Sequence, residues 1–202
     1  MARPSNTGHR RQEIVNGLMQ AMADKGYEKA SIQSIAKAAG LSPGLIHYHF
    51  KTKQEILIAL IHQISEQAAQ RFTLLADAAG NAQQQLDAYI DAALALGDGS
   101  NPEAVTAWVI IGAEAVRIEE VRALYQQIIR QHSQQLSELL QQAAAENGVT
   151  LSPSQTADIA TFVIASIEGS YQLATTAPAA NPGYAARLLK QALTGMLQAN
   201  NS

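Results

Sequence analysis

Apolar residues recur along this chain at helical intervals almost from its start. Ile14, Val15, Leu18 and Met22 make one stripe of an amphipathic helix over residues 7–25, and Gly26 is placed to stop it. Ser31 then reads as an N-cap for a short helix, 32–39, with Ile35, Ala36 and Ala39 inward. Gly40 is suited to the left-handed conformation that ends a helix. A new start follows at once, with Ser42 as N-cap and Pro43 at the first helical position, where its missing N–H costs nothing. Leu41, Ile46 and Phe50 supply the buried side of this third helix. A longer helix followed by two short ones across a Gly-containing turn is a helix-turn-helix.

Beyond it, Thr52-Lys53-Gln54-Glu55 matches a capping box that opens a long helix, with Ile56, Leu57, Leu60, Ile61 and Ile64 on one side. The pattern carries that helix past Phe72 toward Asp77. Leu86, Tyr89, Ile90, Ala93 and Leu94 mark another, stopped by Gly97-Asp98-Gly99, and Asn101-Pro102 restarts the chain. From there to Asn147-Gly148 no decisive breaker occurs; an unbroken helix that long would be unusual, but the sequence does not show where it divides, and residues 117–120 are no more than a candidate place. Val121, Leu124, Tyr125, Ile128, His132, Leu136, Leu139 and Leu140 line one face of the later part. Ser152-Pro153 starts a helix with Ile159, Phe162, Val163 and Leu173 expected inward, and Asn181-Pro182 starts a last one carrying Leu188, Leu189, Leu193 and Met196. Between those two lies a small-residue loop over residues 175–180. Nothing alternates with the period of two that strands require, so the fold class is all-α. The reading divides the chain into a helix-turn-helix domain over 1–52 and a larger helical domain over 53–202.

Composition adds limits. Apolar residues are 47% and charged residues 15% of the 202, enough for a sizeable core. There is no cysteine, which excludes disulfides, thiolate catalysis and Cys-based metal sites. No apolar run has the length of a membrane span, and the polar start lacks the apolar stretch of an export signal, so a cytoplasmic protein is expected. Net charge is −3, but residues 1–62 hold eight basic groups against four acidic, and the remaining 140 hold six against thirteen. A basic head on an acidic body suits a polyanionic partner.

Residues 31–57, SIQSIAKAAGLSPGLIHYHFKTKQEIL, resemble the DNA-binding domain of the TetR family of one-component transcriptional regulators. More loosely, AWVIIGAEAVRIEEVRALYQQIIRQHSQQLSELLQQA and IEGSYQLA resemble the BetI-type C-terminal domain. The resemblance implies a homodimer that binds double-stranded DNA, with a pocket for an unidentified small effector, a palindromic operator and no cofactor. It implies DNA contacts from Ser31, Gln33, Ser42, Pro43, Gly44, Leu45, His47, Tyr48, His49 and Lys53.

The chemistry of these residues agrees. Ser42, Pro43 and Gly44 are small at the leading end of a helix that the major groove admits. Pro43 and Leu45 can lie against thymine methyls, the His47 imidazole can donate or accept at a base edge, and Gln33 can bond adenine bidentately. Tyr48 and His49 either meet phosphate or pack beneath the helix, and Lys53 matches a phosphate position. Arg3, Arg10 and Arg11 either reach phosphate or the minor groove, or form a tail. For the effector pocket the resemblance points to Tyr89, Trp108, Glu114, Tyr171 and Gln172. For the dimer interface it points to Leu136, Leu139, Phe162, Ser166, Gly169, Ser170 and Leu173.

Other functions find less support. His47 and His49, two apart, point to different sides of a helix, which argues against a metal pair. His62 and His132 sit in helical stripes as satisfied or interface residues. No nucleophile–base set, HExxH run or phosphate-binding glycine loop is present, which argues against an enzyme. The alternative is a helical protein-interaction or scaffold module without sequence-specific DNA binding.

Overall fold

A computed structural model describes residues 6–94, 101–177 and 183–199. The helices are α1 (Asn6–Lys25), α2 (Ile32–Ala39), α3 (Pro43–His49), α4 (Lys53–Ala76), α5 (Ala82–Ala93), α6 (Pro102–Ala115), α7 (Glu119–Glu146), α8 (Pro153–Thr176) and α9 (Tyr184–Ala199). No strand occurs among the described residues, and none of their helices is long and apolar enough to cross a membrane. The expected stop at Gly97-Asp98-Gly99, the expected start at Asn181-Pro182, and Arg3 lie outside the described residues. The chain forms two compact units, one of residues up to Ser65 with Glu103–Tyr125, the other of Glu66–Pro102 with Gln126–Ser202.

The division of the long 102–147 segment falls at residues 116–118, beside the candidate place. Its cause was not written in breakers. Arg122, from the first turn of α7, donates Nε to the Ala115 carbonyl at 3.0 Å and Nη2 to the Val116 carbonyl at 2.6 Å. Those are carbonyls that a helix end leaves without partners. A guanidinium supplied from the next helix thus does what a glycine or proline usually does.

In the first unit, Ile14, Leu18 and Met22 of α1 are wholly buried with Val15 beside them. The Ser31 hydroxyl accepts from the Ser34 N–H at 3.2 Å and caps α2. Gly40 closes α2 at φ 66°, a conformation that would strain any side chain. Ser42 then caps α3 through the Leu45 N–H at 3.3 Å. The Thr52 hydroxyl accepts from the Glu55 N–H at 3.1 Å, as a capping box requires, but the return bond is different from that motif. Glu55 Oε2 accepts from the N–H of Lys51, not of Thr52, at 2.9 Å, tying the α3–α4 turn one residue further back.

The second unit is built on Leu86 and Ile90 of α5, Leu136 and Leu140 of α7, Val163 of α8 and Leu193 of α9. Glu146, near the end of α7, accepts from the N–H groups of Ala82 and Gln83, so a carboxylate holds the positive end of α5. Ser152 and Gln155 form a full capping box at the start of α8. Two inward assignments on α8 are corrected here. The buried face carries Thr156, Ala160, Val163 and Ile167, whereas Phe162 and Leu173 are 44% and 50% exposed. Phe162 is turned about 100° from Val163, which takes it off the buried stripe. Leu188 of α9 is likewise exposed.

One close approach organises the first unit. Gly17 is buried midway along α1, where an added Cβ would lie 2.8 Å from the Ile35 carbonyl oxygen and 2.9 Å from the Ala39 Cβ. It would also stand 3.1 Å from the Ala39 nitrogen, so backbone rather than a pliable side chain is in the way. On an open helix face Gly→Ala stabilises by about 1 kcal/mol; here overpacking of about 1–3 kcal/mol opposes it. Gly17→Ala is therefore expected to lower the midpoint in urea or thermal unfolding followed by circular dichroism. A raised midpoint would show that α1 and α2 are further apart than described.

Candidate nucleic-acid interface

The third helix has seven residues, about 10 Å of rise. Isolated helices of that length are marginal in water, so what holds α3 also determines what it can present. Ile46 is fully buried beneath it and Phe50, its C-terminal cap, is 2% exposed. Leu45 and His49 are half-buried at its flanks. With the underside fixed, Ser42, Pro43, Gly44, His47 and Tyr48 all face solvent.

Tyr48 is 80% exposed, its ring edge-on to His49 at 5.0 Å, which removes the alternative that it packs beneath the helix. Ser31 and Gln33, on and beside the cap of α2, are exposed as well. Each capping hydroxyl accepts a backbone N–H, which leaves its own hydrogen to donate outward.

Lys53, at the first turn of α4, is held within the head. Its ammonium does not project freely: it donates to the Tyr27 carbonyl at 2.8 Å and the Glu28 carbonyl at 3.3 Å, and lies 4.2 Å from the Tyr27 ring centroid. Partial burial lowers its pKa, and the Glu114 and Glu28 carboxylates oppose that shift. Tyr27, buried at the α1–α2 turn, has its hydroxyl pKa raised by desolvation and then by Glu114. The first turn of α4 is thereby tied to the turn preceding α2.

The same region is reached from the α6–α7 turn and the start of α7. Arg117 pairs with Glu28 at 2.6 Å, and Gln54 Nε2 donates to Glu120 at 2.5 Å. The ion pair is exposed on both sides, so it orients more than it stabilises. Tyr27, Glu28 and Arg117 were not singled out in the sequence, because nothing in a linear pattern brings residue 117 to residue 28.

The arginines of α1 are helical. Arg10 bonds Glu13 at 2.8 Å, and Arg11 donates to the His49 carbonyl at 2.6 Å. Arg10 and Arg11 are thus part of the folded head, not of a tail.

The residues expected in an effector pocket divide between the units. In the first, Trp108 stacks on Tyr125 with centroids 5.2 Å apart, and Glu114 acts on Tyr27 and Lys53. In the second, Tyr89 meets Phe72 edge-on at 5.7 Å, and its hydroxyl lies 2.9 Å from His132 Nδ1. The Tyr171 hydroxyl donates to the Ala93 carbonyl, and Gln172 is exposed. Burial raises the pKa of both tyrosines and lowers that of His132. The second unit also has a groove of about 750 Å³ between α5 and α9, crossed by an ion pair from Lys190 to Asp91 at 2.8 Å. Asp87 and Asp91 line it from α5, about 200° round that helix from Tyr89.

Of the expected interface residues, Leu136 and Leu139 are corrected. Both are buried in the second unit's own core. Phe162, Ser166, Gly169 and Leu173 instead follow one another at i, i+4, i+7 and i+11, a single stripe along α8. Ser170 adjoins that stripe, half-buried. Among the described residues no group of three or more His, Asp or Glu is placed to hold a metal ion.

The family model for bacterial regulatory proteins of the tetR family matches residues 14–60, and that for the C-terminal part of BetI-type transcriptional repressors matches 82–198. The HTH-type transcriptional regulator BetI of Rhizobium meliloti is 32% identical over 115 residues, 57% of this chain and 56% of that protein. The matched stretch thus spans about half the length of the curated relative.

A transcriptional regulator from Rhodococcus superposes with a TM-score of 0.79 at 20% identity, covering 95% of this chain and 98% of the other. A second, from Saccharomonospora viridis, in complex with choline, gives 0.76 at 21%, covering 96% and 97%. At such identity these two speak for the fold alone. The C-terminal match takes in more than half of the sequence, and with the head it shows that the chain belongs to the tetR family of bacterial regulatory proteins, transcriptional regulators and not enzymes, with a C-terminal part of the BetI type.

Proposed function

We propose that this chain is a homodimeric, cytoplasmic repressor that binds a roughly palindromic operator and is released by a small effector. The observation that carries the DNA contact is the outer ridge of α3. Its small leading end and the exposed His47 and Tyr48 stand on a buried Ile46 and Phe50, within a head whose charge is +4. Ser42, Pro43, Gly44 and Leu45 approach the groove, His47 reads a base edge, and Ser31, Gln33, Tyr48 and His49 meet backbone or groove edge. Lys53 has given two of its three hydrogens to carbonyls and has a third for a phosphate.

Ser42→Asp isolates this reading from stability, because aspartate caps helices as well as serine does but places a carboxylate against phosphates. Unfolding is expected to stay within about 0.5 kcal/mol of the wild-type value. Affinity for a duplex selected from random DNA should fall at least tenfold (about 1.4 kcal/mol). Undiminished binding in fluorescence anisotropy would remove α3 from the groove. His47→Ala is expected to relax preference at one base pair in each half-site, seen by repeating the selection.

Dimerisation is proposed through the α8 stripe and the outer side of α9. Exposed Phe162 and Leu173 flank small residues, and Leu188 is 48% exposed on α9. The Ser166 and Ser170 hydroxyls donate to carbonyls one turn earlier at 2.8 and 2.7 Å, so burying them leaves no donor unsatisfied. Glycine at 169 would let a partner helix approach closely. Phe162→Glu should cost about 2–4 kcal/mol of association and yield a folded monomer in sedimentation velocity; an intact dimer would place the interface elsewhere.

For the effector we propose a small organic cation bound by the second unit. Phe72 and Tyr171 are partly buried aromatic rings beside the buried Tyr89, and Glu168 lies close enough to raise the Tyr171 pKa. The choline complex of the Saccharomonospora protein supports that choice. Choline at 100 times its dissociation constant should stabilise the protein by about 2.7 kcal/mol in a thermal melt. No shift with choline or related quaternary amines at millimolar concentration would discard this effector class.

A further inference from the structure

We propose that Arg11 is a positioning residue for DNA recognition: from α1 it fixes the C-terminal end of α3, and so the angle at which His47 and Tyr48 are presented. The assignment rests on the proposed groove contact of α3. It gives Arg11 a different role from a phosphate-binding arginine.

The need for such a residue follows from how α3 ends. Its last internal bond runs from the Phe50 N–H to the Ile46 carbonyl at 2.9 Å, after which the carbonyls of His47, Tyr48 and His49 have no later turn to bond. Helices commonly meet this with a left-handed glycine, as α2 does at Gly40. At the end of α3 the chain turns instead into extended backbone at Phe50, φ −139° and ψ 129°.

Arg11 supplies the missing donor. Nη1 bonds the His49 carbonyl at 2.6 Å, and the guanidinium carbon sits 3.9 Å from the centroid of the Phe50 ring. One planar group therefore grips the carbonyl end of the helix and the ring that plugs its underside. A cation there also meets the negative end of the helix dipole.

Its anchorage is firm. Arg11 precedes the buried Ile14 and Val15 by about one turn of α1, and α1 packs against both α2 and α3. Ser42 fixes one end of α3 and Arg11 the other, while the side chains offered outward lie between. Removing Arg11 takes the donor from the His49 carbonyl and the cation from the Phe50 ring, so the later end of α3 is set by the apolar floor alone and its pitch is less sharply defined. Non-specific attraction to phosphates would persist, but alignment with base edges would not.

The experiment uses the full-length protein and two duplexes of equal length, one selected by the wild type from random DNA and one scrambled. Both are titrated by anisotropy over a range of salt concentrations. Arg11→Ala is expected to weaken binding to the selected duplex about tenfold while leaving the scrambled duplex and the salt slope unchanged. Arg11→Lys keeps the charge but not the planar fork, and should behave like the alanine variant. Phe50→Leu keeps an apolar plug but removes the ring face, and should lose part of the same discrimination.

Parallel loss on both duplexes with a slope reduced by about one would make Arg11 a phosphate contact and overturn the assignment. So would a lowered melting temperature with discrimination intact, or full rescue by lysine. Should the wild type select no duplex at all, the DNA-binding reading falls and this role falls with it. If the wild type selects and the variants discriminate equally well, only the role of Arg11 falls.

Discussion

The burial of Ile46 and Phe50 beneath a seven-residue helix is the constraint on which this head depends. A helix so short has too few internal bonds to persist by itself, so its shape is borrowed from α1 and α2. Those two in turn can lie close only because position 17 has no side chain. Sequence sets a glycine, the glycine sets a distance between two helices, and that distance provides the floor on which the third rests. Apart from Ser42, which caps the helix, the outward residues are then free to be chosen for what they touch.

Much of this could be read in advance because the determinants are local. Ser31, Gly40, Ser42 and Pro43 announce helix ends by chemistry that acts within three or four residues, and the structure uses Ser31, Gly40 and Ser42 as caps and starts α3 at Pro43. The buried stripe of α1 follows from helical spacing alone. Less legible was anything decided between distant residues. The break between α6 and α7 depends on Arg122 reaching back to Ala115 and Val116, and arginine carries no breaker signal. That Lys53 also meets two carbonyls and a ring of the α1–α2 turn is nowhere in its own segment. Gly17 could have been noticed, since glycine inside an apolar helical run invites the question of what approaches it.

The second unit shows a different limit. Along α7 and α8 apolar residues are abundant enough that spacing cannot tell a subunit's interior from a face turned outward. Leu136 and Leu139 fall inside and Phe162 and Leu173 outside, although all four are large and apolar. What separates them is which neighbouring helix covers each stripe, a property of packing absent from any single segment. The tyrosines are similar. Tyr89 and Tyr171 are buried with their hydroxyls bonded to His132 and the Ala93 carbonyl, a polar arrangement that no spacing rule anticipates.

The stack of Trp108 on Tyr125 gives the molecule a built-in optical probe. The sequence contains a single tryptophan, so the indole emission of the whole protein originates from one place, on α6 against the first turns of α7. Trp108 is 8% exposed, which should shift that emission toward the blue and protect it from dissolved quenchers. Any event that loosens the pair would therefore announce itself in the spectrum of the unlabelled protein, without a dye or an engineered reporter.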